Sequence, residues 1–208
     1  MHTGNAKNSF VGRAGEKLAG AAQAFSYDFR GKTVLDIGSS TGGFTEVALK
    51  FGAAKVVAVE KGTKQMKAPL RFDSRISLYE KTDIFDTSVS GRDFLVGEPR
   101  AKGNKKALFD TIVADVSFVS LTKVLAYAKM YLACRETDFL VMLKPQFEAD
   151  EKQLNKGVVK NEKIRRKIIF DFEKWLKSHG FLILKKRDND LVGKNGNKER
   201  FYLLKIAK

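Results

Sequence analysis

Leu35-Asp36-Ile37-Gly38-Ser39-Ser40-Thr41-Gly42-Gly43-Phe44-Thr45 is the stretch on which the fold turns. An apolar run at 32–37 (KTVLDI) has the pattern of a buried strand, and it ends in an acid and a loop with three glycines. A helical pattern follows at 43–51. In open α/β sheets, ligands bind just beyond the C-terminal ends of strands. Glycines there let the backbone approach a ligand closely. The spacing is not G-x-G-x-x-G, and no Gly-Lys-Ser/Thr follows. That argues against both the dinucleotide fingerprint and the phosphate-cradling P-loop.

The rest of the chain repeats the same alternation. Strands are expected at 55–60 (KVVAVE), Ile76–Glu80, 109–114 (FDTIVA) and 139–143 (FLVML). Helices are expected at 15–25, at 63–71 until Pro69 ends it, and at 121–132. Glu162–Ser178 has helical periodicity, with Ile164, Ile168, Phe172, Trp175 and Leu176 on or near one face and Gly180 placed to cap it. Two further strands, 181–186 and Arg200–Ile206, are separated by a polar loop, 187–199, that suits an antiparallel hairpin. The expected class is α/β and Rossmann-like: a mostly parallel seven-stranded sheet with an antiparallel C-terminal strand and helices on both faces. Residues 97–106 read as an exposed basic loop, residues 1–9 as a disordered segment, and 10–208 as one domain.

Three acids follow three successive strands: Asp36, Glu60 and Asp83. Glu60 suits the two hydroxyls of a ribose, and Asp83 suits an adenine amino group. Taken singly, such residues are often helix caps and turn formers. Taken in order, they describe one edge that binds a nucleoside with a cationic centre, because carboxylates repel phosphate. The candidate binding set is Asp36, Gly38, Ser39, Ser40, Thr41, Gly42, Gly43, Phe44, Glu60, Lys61, Asp83, Ile84 and Asp115.

Composition narrows the partners. The chain has 208 residues, with 39 Lys+Arg against 24 Asp+Glu and a formal net charge of +15. That balance favours a polyanion, nucleic acid first and an acidic membrane surface second. No apolar run is long enough for a membrane span or a secretion signal. The single cysteine, Cys134, permits no internal disulfide and makes a cysteine-based metal site implausible. A cytoplasmic monomer without metal is the expectation.

Several longer motifs occur in a fixed order. They are 10–18 (FVGRAGEKL), the glycine-rich stretch, 114–118 (ADVSF), 143–148 (LKPQFE), 156–159 (KGVV) and 196–199 (GNKE). Together they resemble the TlyA family of ribosomal RNA 2′-O-methyltransferases, also named haemolysin A, within the wider FtsJ-like group. The resemblance covers nearly the whole chain. It implies a class I methyltransferase fold, S-adenosylmethionine as cofactor, and ribosomal RNA or ribosomal subunits as partner. It also implies a Lys-Asp-Lys-Glu catalytic set, which falls by motif on Lys17, Asp115, Lys144 and Glu199.

The chemistry asks for such groups. A ribose hydroxyl is a poor nucleophile at neutral pH, and its proton needs a neutral base. A free lysine, with a pKa near ~10.4, is charged; a second lysine and partial burial favour its neutral form. Lys144 is read as the base. Lys17 is read as the group that positions the hydroxyl, and Asp115 and Glu199 as groups that orient the two lysines.

Arg13, Lys64, Lys67, Arg71, Arg100, Lys102, Lys105, Lys106, Lys152, Lys156, Lys160, Lys194 and Lys198 are candidates for phosphate contacts. Phe118 and Phe147 flank the expected site, as base-stacking or core residues. The family usually carries an N-terminal S4 RNA-binding domain, and nothing in these residues matches one, so weak target choice is expected of them alone. The competing readings are a small-molecule methyltransferase, a membrane-acting haemolysin, and an RNA-binding assembly protein without catalysis.

Overall fold

The computed structural model describes residues 10–97, 108–191, 193 and 196–207. The expected disordered segment at 1–9, most of the basic loop with Arg100, Lys102, Lys105 and Lys106, and Lys194 lie outside the described residues.

The elements in chain order are α1 (Arg13–Phe25), β1 (Thr33–Ile37), α2 (Gly43–Lys50), β2 (Lys55–Glu60), β3 (Ile76–Glu80), β4 (Thr87–Ser90), β5 (Asp93–Val96), β6 (Thr111–Ala114), α3 (Leu121–Tyr131), β7 (Asp138–Leu143), α4 (Glu162–Ser178), β8 (Phe181–Asp188) and β9 (Arg200–Ile206), with four short 3-10 turns. Seven strands form one sheet in the order β3-β2-β1-β6-β7-β9-β8, and β9 runs antiparallel to both neighbours. This is the expected mostly parallel sheet with its reversed terminal strand, the class I methyltransferase arrangement.

Side chains alternate across the strands and build a core on each face. Leu35, Ile37, Ile112, Val141 and Leu143 meet α3 and α4 through Leu125, Ile169 and Leu176. Val34, Val113, Leu140 and Met142 meet α1 and α2 through Leu18, Ala22, Val47 and Ala48. Central strands buried on both sides explain why their sequences are almost continuously apolar.

The structure departs from the sequence reading at two places. The helix expected at 63–71 is a run of bends followed by a 3-10 turn, Leu70–Phe72. Pro69 supplies no backbone donor and disfavours helical geometry in the residue before it, so the segment closes only an isolated turn, with Arg71 N on the Lys67 carbonyl at 3.2 Å, and no continuous helix forms. The second departure is the antiparallel pair β4–β5, which the sequence reading missed. It turns at Gly91, with φ of 61°, and packs Phe94 against Tyr79 and Phe109.

Candidate active site

The C-terminal edge of the sheet carries the site, and strand register determines who stands beside whom. Ile37 pairs with Ala114, so Gly38 and Asp115 leave the sheet side by side. A Cβ on Gly38 would come within 3.1 Å of the Asp115 carbonyl oxygen, and Gly38 has φ of 79°. Both facts require glycine there. Leu143 pairs with Arg200 across the antiparallel β7–β9 ladder, so the next residues outward, Lys144 and Glu199, are also neighbours. One row thus runs from Gly38 through Asp115 and Lys144 to Glu199.

Two lysine–carboxylate pairs occupy this row. Lys144 Nζ lies 2.6 Å from Asp115 Oδ1, a close charge contact whose angles are not those of a hydrogen bond. The same nitrogen donates to Ser117 Oγ at 2.9 Å. Lys17, on α1, donates to Glu199. Lys17 is 8% exposed and Glu199 4%, so this second pair is buried.

Each lysine is held by its surroundings. Lys17 reaches the row because α1 packs tightly on α2: a Cβ on Gly43 would stand 2.8 Å from the Gly15 nitrogen. Glu199 sits in a pinned segment. The Asn197 side chain accepts from Val159 N at 3.1 Å and donates to the Gly157 carbonyl at 3.0 Å. The Arg165 Nε donates to the Lys198 carbonyl at 3.1 Å. The turn carrying Lys144 is tied to α3 by Glu148, which accepts from Ser120 Oγ and Leu121 N, both at 2.6 Å. Burial pushes the Glu148 carboxyl above the usual range, against those two hydrogen bonds.

Next to the row lies a cleft of about 730 Å³. Of the candidate binding residues, Gly38, Ser40, Glu60, Lys61, Asp83, Ile84 and Asp115 line it. Glu60 accepts from Ser40 N at 2.9 Å and Gly62 N at 2.7 Å, which fixes its carboxylate at the cleft wall. Asp83 pairs with Lys61 at 2.9 Å and accepts from Phe85 N at 3.1 Å. Burial alone would raise the Asp83 carboxyl, but these partners outweigh it and hold it below the usual range.

Asp36 and Ser39 lie beneath this surface, not on it. Asp36 is fully buried, with Oδ2 accepting from Thr45 Oγ1 at 2.6 Å. Burial pushes its carboxyl up to about 7, and the negative charge of Asp115 adds to that. Its Oδ1 and the buried Ser39 Oγ have no partner among the described residues. Thr41, Gly42 and Gly43 are outside the cleft lining, and Gly42 and Gly43 serve the α1–α2 contact and the turn. The Phe44 ring faces away, into the core against Phe201.

Thr82, which precedes Asp83 and shares its reading, also lines the cleft, as does Ser117 of the 114–118 motif; Gln65 and Val119 line it and were not read from the sequence. They sit in irregular loops with no periodicity to mark them. Phe118 is 93% exposed, with its ring 5.2 Å from that of Phe147. Of the expected phosphate contacts, Lys64, Lys67, Lys152, Lys156 and Lys160 are exposed. Arg71 is instead committed to Glu80, at 2.5 Å.

The fold and site therefore define a class I methyltransferase. The FtsJ-like methyltransferase pattern matches residues 10–206, and the chain belongs to that family. It is 36% identical over 195 residues to the 23S rRNA (cytidine-2′-O)-methyltransferase TlyA of Campylobacter jejuni, across 93% of this chain and 70% of that protein. It is 35% identical to Hemolysin A of Brachyspira hyodysenteriae, across 91% of this chain and 74% of that protein. A solved structure of a Lactococcus lactis protein named after hemolysins superposes with a TM-score of 0.82 at 31% identity, covering 96% of this chain and 89% of that one.

Proposed function

We propose that this chain methylates ribose 2′-hydroxyls of ribosomal RNA, with S-adenosylmethionine bound in the cleft and the Lys17–Glu199 and Lys144–Asp115 pairs at the reacting edge. The observation that supports this most is the single row of Gly38, Asp115, Lys144 and Glu199, with Lys17 added from α1. Asp115 belongs to both the cleft lining and the lysine pairs, so it joins a cofactor site to a reaction site.

The cleft residues fit that cofactor. Acids at or just after the ends of β2 and β3 match ribose hydroxyls and an adenine amino group, and among the described residues Lys61 is the one basic side chain in the cleft lining. Glu60 retains acceptor capacity beyond its two backbone donors. The unpartnered Asp36 Oδ1 and Ser39 Oγ add buried acceptor character beneath the loop. When bound, S-adenosylmethionine supplies an electrophilic methyl group on a sulfonium.

The chain's own groups do the rest. Lys144 Nζ, in its neutral amine form after giving its own extra proton to solvent, takes the proton of the attacking 2′-hydroxyl, while Asp115 and Ser117 fix where that nitrogen sits. Lys17, held by Glu199, orients the hydroxyl oxygen. Fixed orientation of both reactants supplies much of the acceleration. Two relatives are named as rRNA methyltransferase and hemolysin respectively, and the lysine pairs favour the first activity for this chain. No helix among the described residues is long and apolar enough to cross a membrane.

The test is transfer of labelled methyl from S-adenosylmethionine to ribosomal subunits that lack the modification. Label recovered in alkali-resistant dinucleotides, the mark of 2′-O-methylation, is the expected result. Label confined to bases, or none in any RNA, contradicts the proposal.

A further inference from the structure

The outward face of α4 has a composition that folding does not explain. At about 100° per residue, Lys163, Arg166, Lys167, Phe170, Lys174 and Lys177 fall within an arc of about 100°. The opposite face buries Ile168, Ile169, Phe172 and Leu176 in the core. Like charges three and four residues apart destabilise a helix. Lys163 faces both Arg166 and Lys167, and Lys174 faces Lys177. Lys167 pairs with Asp171 at 2.5 Å, and Arg166 lies within electrostatic reach of Glu162 one turn earlier. Among the described residues, no carboxylate comes within ion-pair range of Lys163, Lys174 or Lys177. In the middle stands Phe170, 66% exposed.

The position of this face gives it a use. The first turn of α4 adjoins the reacting edge: Lys198, next to Glu199, pairs with Glu162 at 2.9 Å. The last turn meets the opposite edge of the sheet, where Lys129 Nζ donates to the His179 carbonyl at 2.5 Å. From Lys163 to Lys177 the stripe spans about 21 Å, from the rise of about 1.5 Å per residue.

We infer that the Lys163–Lys177 face of α4 is a second RNA-binding surface, which tracks the phosphate backbone of the substrate RNA away from the reacting edge while Phe170 stacks on an unpaired base. Five cations with one aromatic match a polyanion carrying exposed rings. A lipid surface would need an apolar stripe, and here the apolar face is turned inward. The inference rests on RNA being the substrate, as proposed above.

The test is binding of the whole chain to unmodified ribosomal RNA across a salt series, from about 50 to about 200 mM. Three variants are compared with the wild type: Lys163→Gln/Lys174→Gln/Lys177→Gln, Phe170→Ser, and the control Lys55→Gln/Arg92→Gln/Arg135→Gln, which removes equal charge from exposed sites on other elements. The α4 triple variant is expected to flatten the log Kd–log salt slope by about 2, from roughly 0.7 per lost single-strand contact. Phe170→Ser is expected to weaken binding about tenfold at every salt concentration without changing the slope. A slope for the α4 triple variant equal to that of the control overturns the inference. So does loss of cosedimentation with phosphatidylserine vesicles while RNA binding stays intact, which would make the face a membrane contact. Methyl transfer is read separately. A flattened slope without any methyl transfer to RNA by the wild type defeats the proposed reaction and leaves this surface standing.

Discussion

At the scale of single residues, three buried titratable groups dominate: the Lys17–Glu199 pair and Asp36. Lys17 and Glu199 form an ion pair almost out of reach of water. Removing one partner leaves the other charge buried alone. Lys17→Met is therefore expected to lower unfolding free energy by about 3–5 kcal/mol, and adding Glu199→Leu to recover most of it. Urea unfolding of the two variants checks this; equal losses would show that the site is wetter than its burial indicates. Asp36 is the second case. Burial, with help from Asp115, lifts its carboxyl from 3.8 to about 7 in the folded chain. A folded value above the unfolded one means that the native state holds the proton more tightly. The associated stability is fully present below about pH 4 and is lost as pH rises through about 7. Asp36→Asn removes this term. The stability advantage of wild type over variant is expected to shrink between those limits by up to about 1.4 kcal/mol per pH unit. A difference that stays constant with pH would contradict the burial argument.

At the scale of elements, the site depends on contacts that bring α1 and the segment before β9 to the sheet edge. Gly43→Ala drives a methyl against the Gly15 backbone, where no flexible side chain can yield. A cost of about 1–3 kcal/mol is expected, together with lower methyl transfer because Lys17 moves with α1. Circular dichroism melting and the transfer assay read the two effects; unchanged values for both would mean that α1 does not deliver Lys17. Asn197→Ala frees the segment before β9 and strands Val159 N and the Gly157 carbonyl, at about 1–3 kcal/mol.

Elements are also where the sequence spoke most clearly. Every strand of the main sheet was visible, because the strands are apolar runs closed by acids or Gly/Pro signals. The pair β4–β5 was not, because each strand is only four residues long and β4, Thr-Ser-Val-Ser, carries a single apolar residue. At the site, residues at strand ends were legible: Glu60, Asp83, Asp115 and Lys144 follow β-patterned runs. Lys17 and Glu199 were not legible from periodicity, since one lies on a helix and the other in a polar loop. Only the motif resemblance singled them out. Ser117 and Glu148 position the Lys144 turn through contacts 27 and 28 residues apart in sequence, and no local pattern encodes those.

At the scale of the whole molecule, one sheet organises two activities of surface. Its C-terminal edge gathers the cleft acids Glu60 and Asp83 and the two lysine–carboxylate pairs to which the proposed reaction assigns cofactor and hydroxyl. The net charge of +15 favours a polyanionic partner, and the inferred α4 surface would extend the contact away from that edge. Lys144 has the central chemical role in the proposed reaction. The most direct test is single-turnover methyl transfer to unmodified ribosomal subunits at saturating S-adenosylmethionine and RNA, comparing wild type with Lys144→Ala, with cofactor Kd measured in parallel. The account predicts a rate lowered by about 10²–10⁴-fold at unchanged cofactor Kd. A variant that transfers methyl at the wild-type rate would show that Lys144 is not the base, and that the row along the sheet edge is not the reacting site.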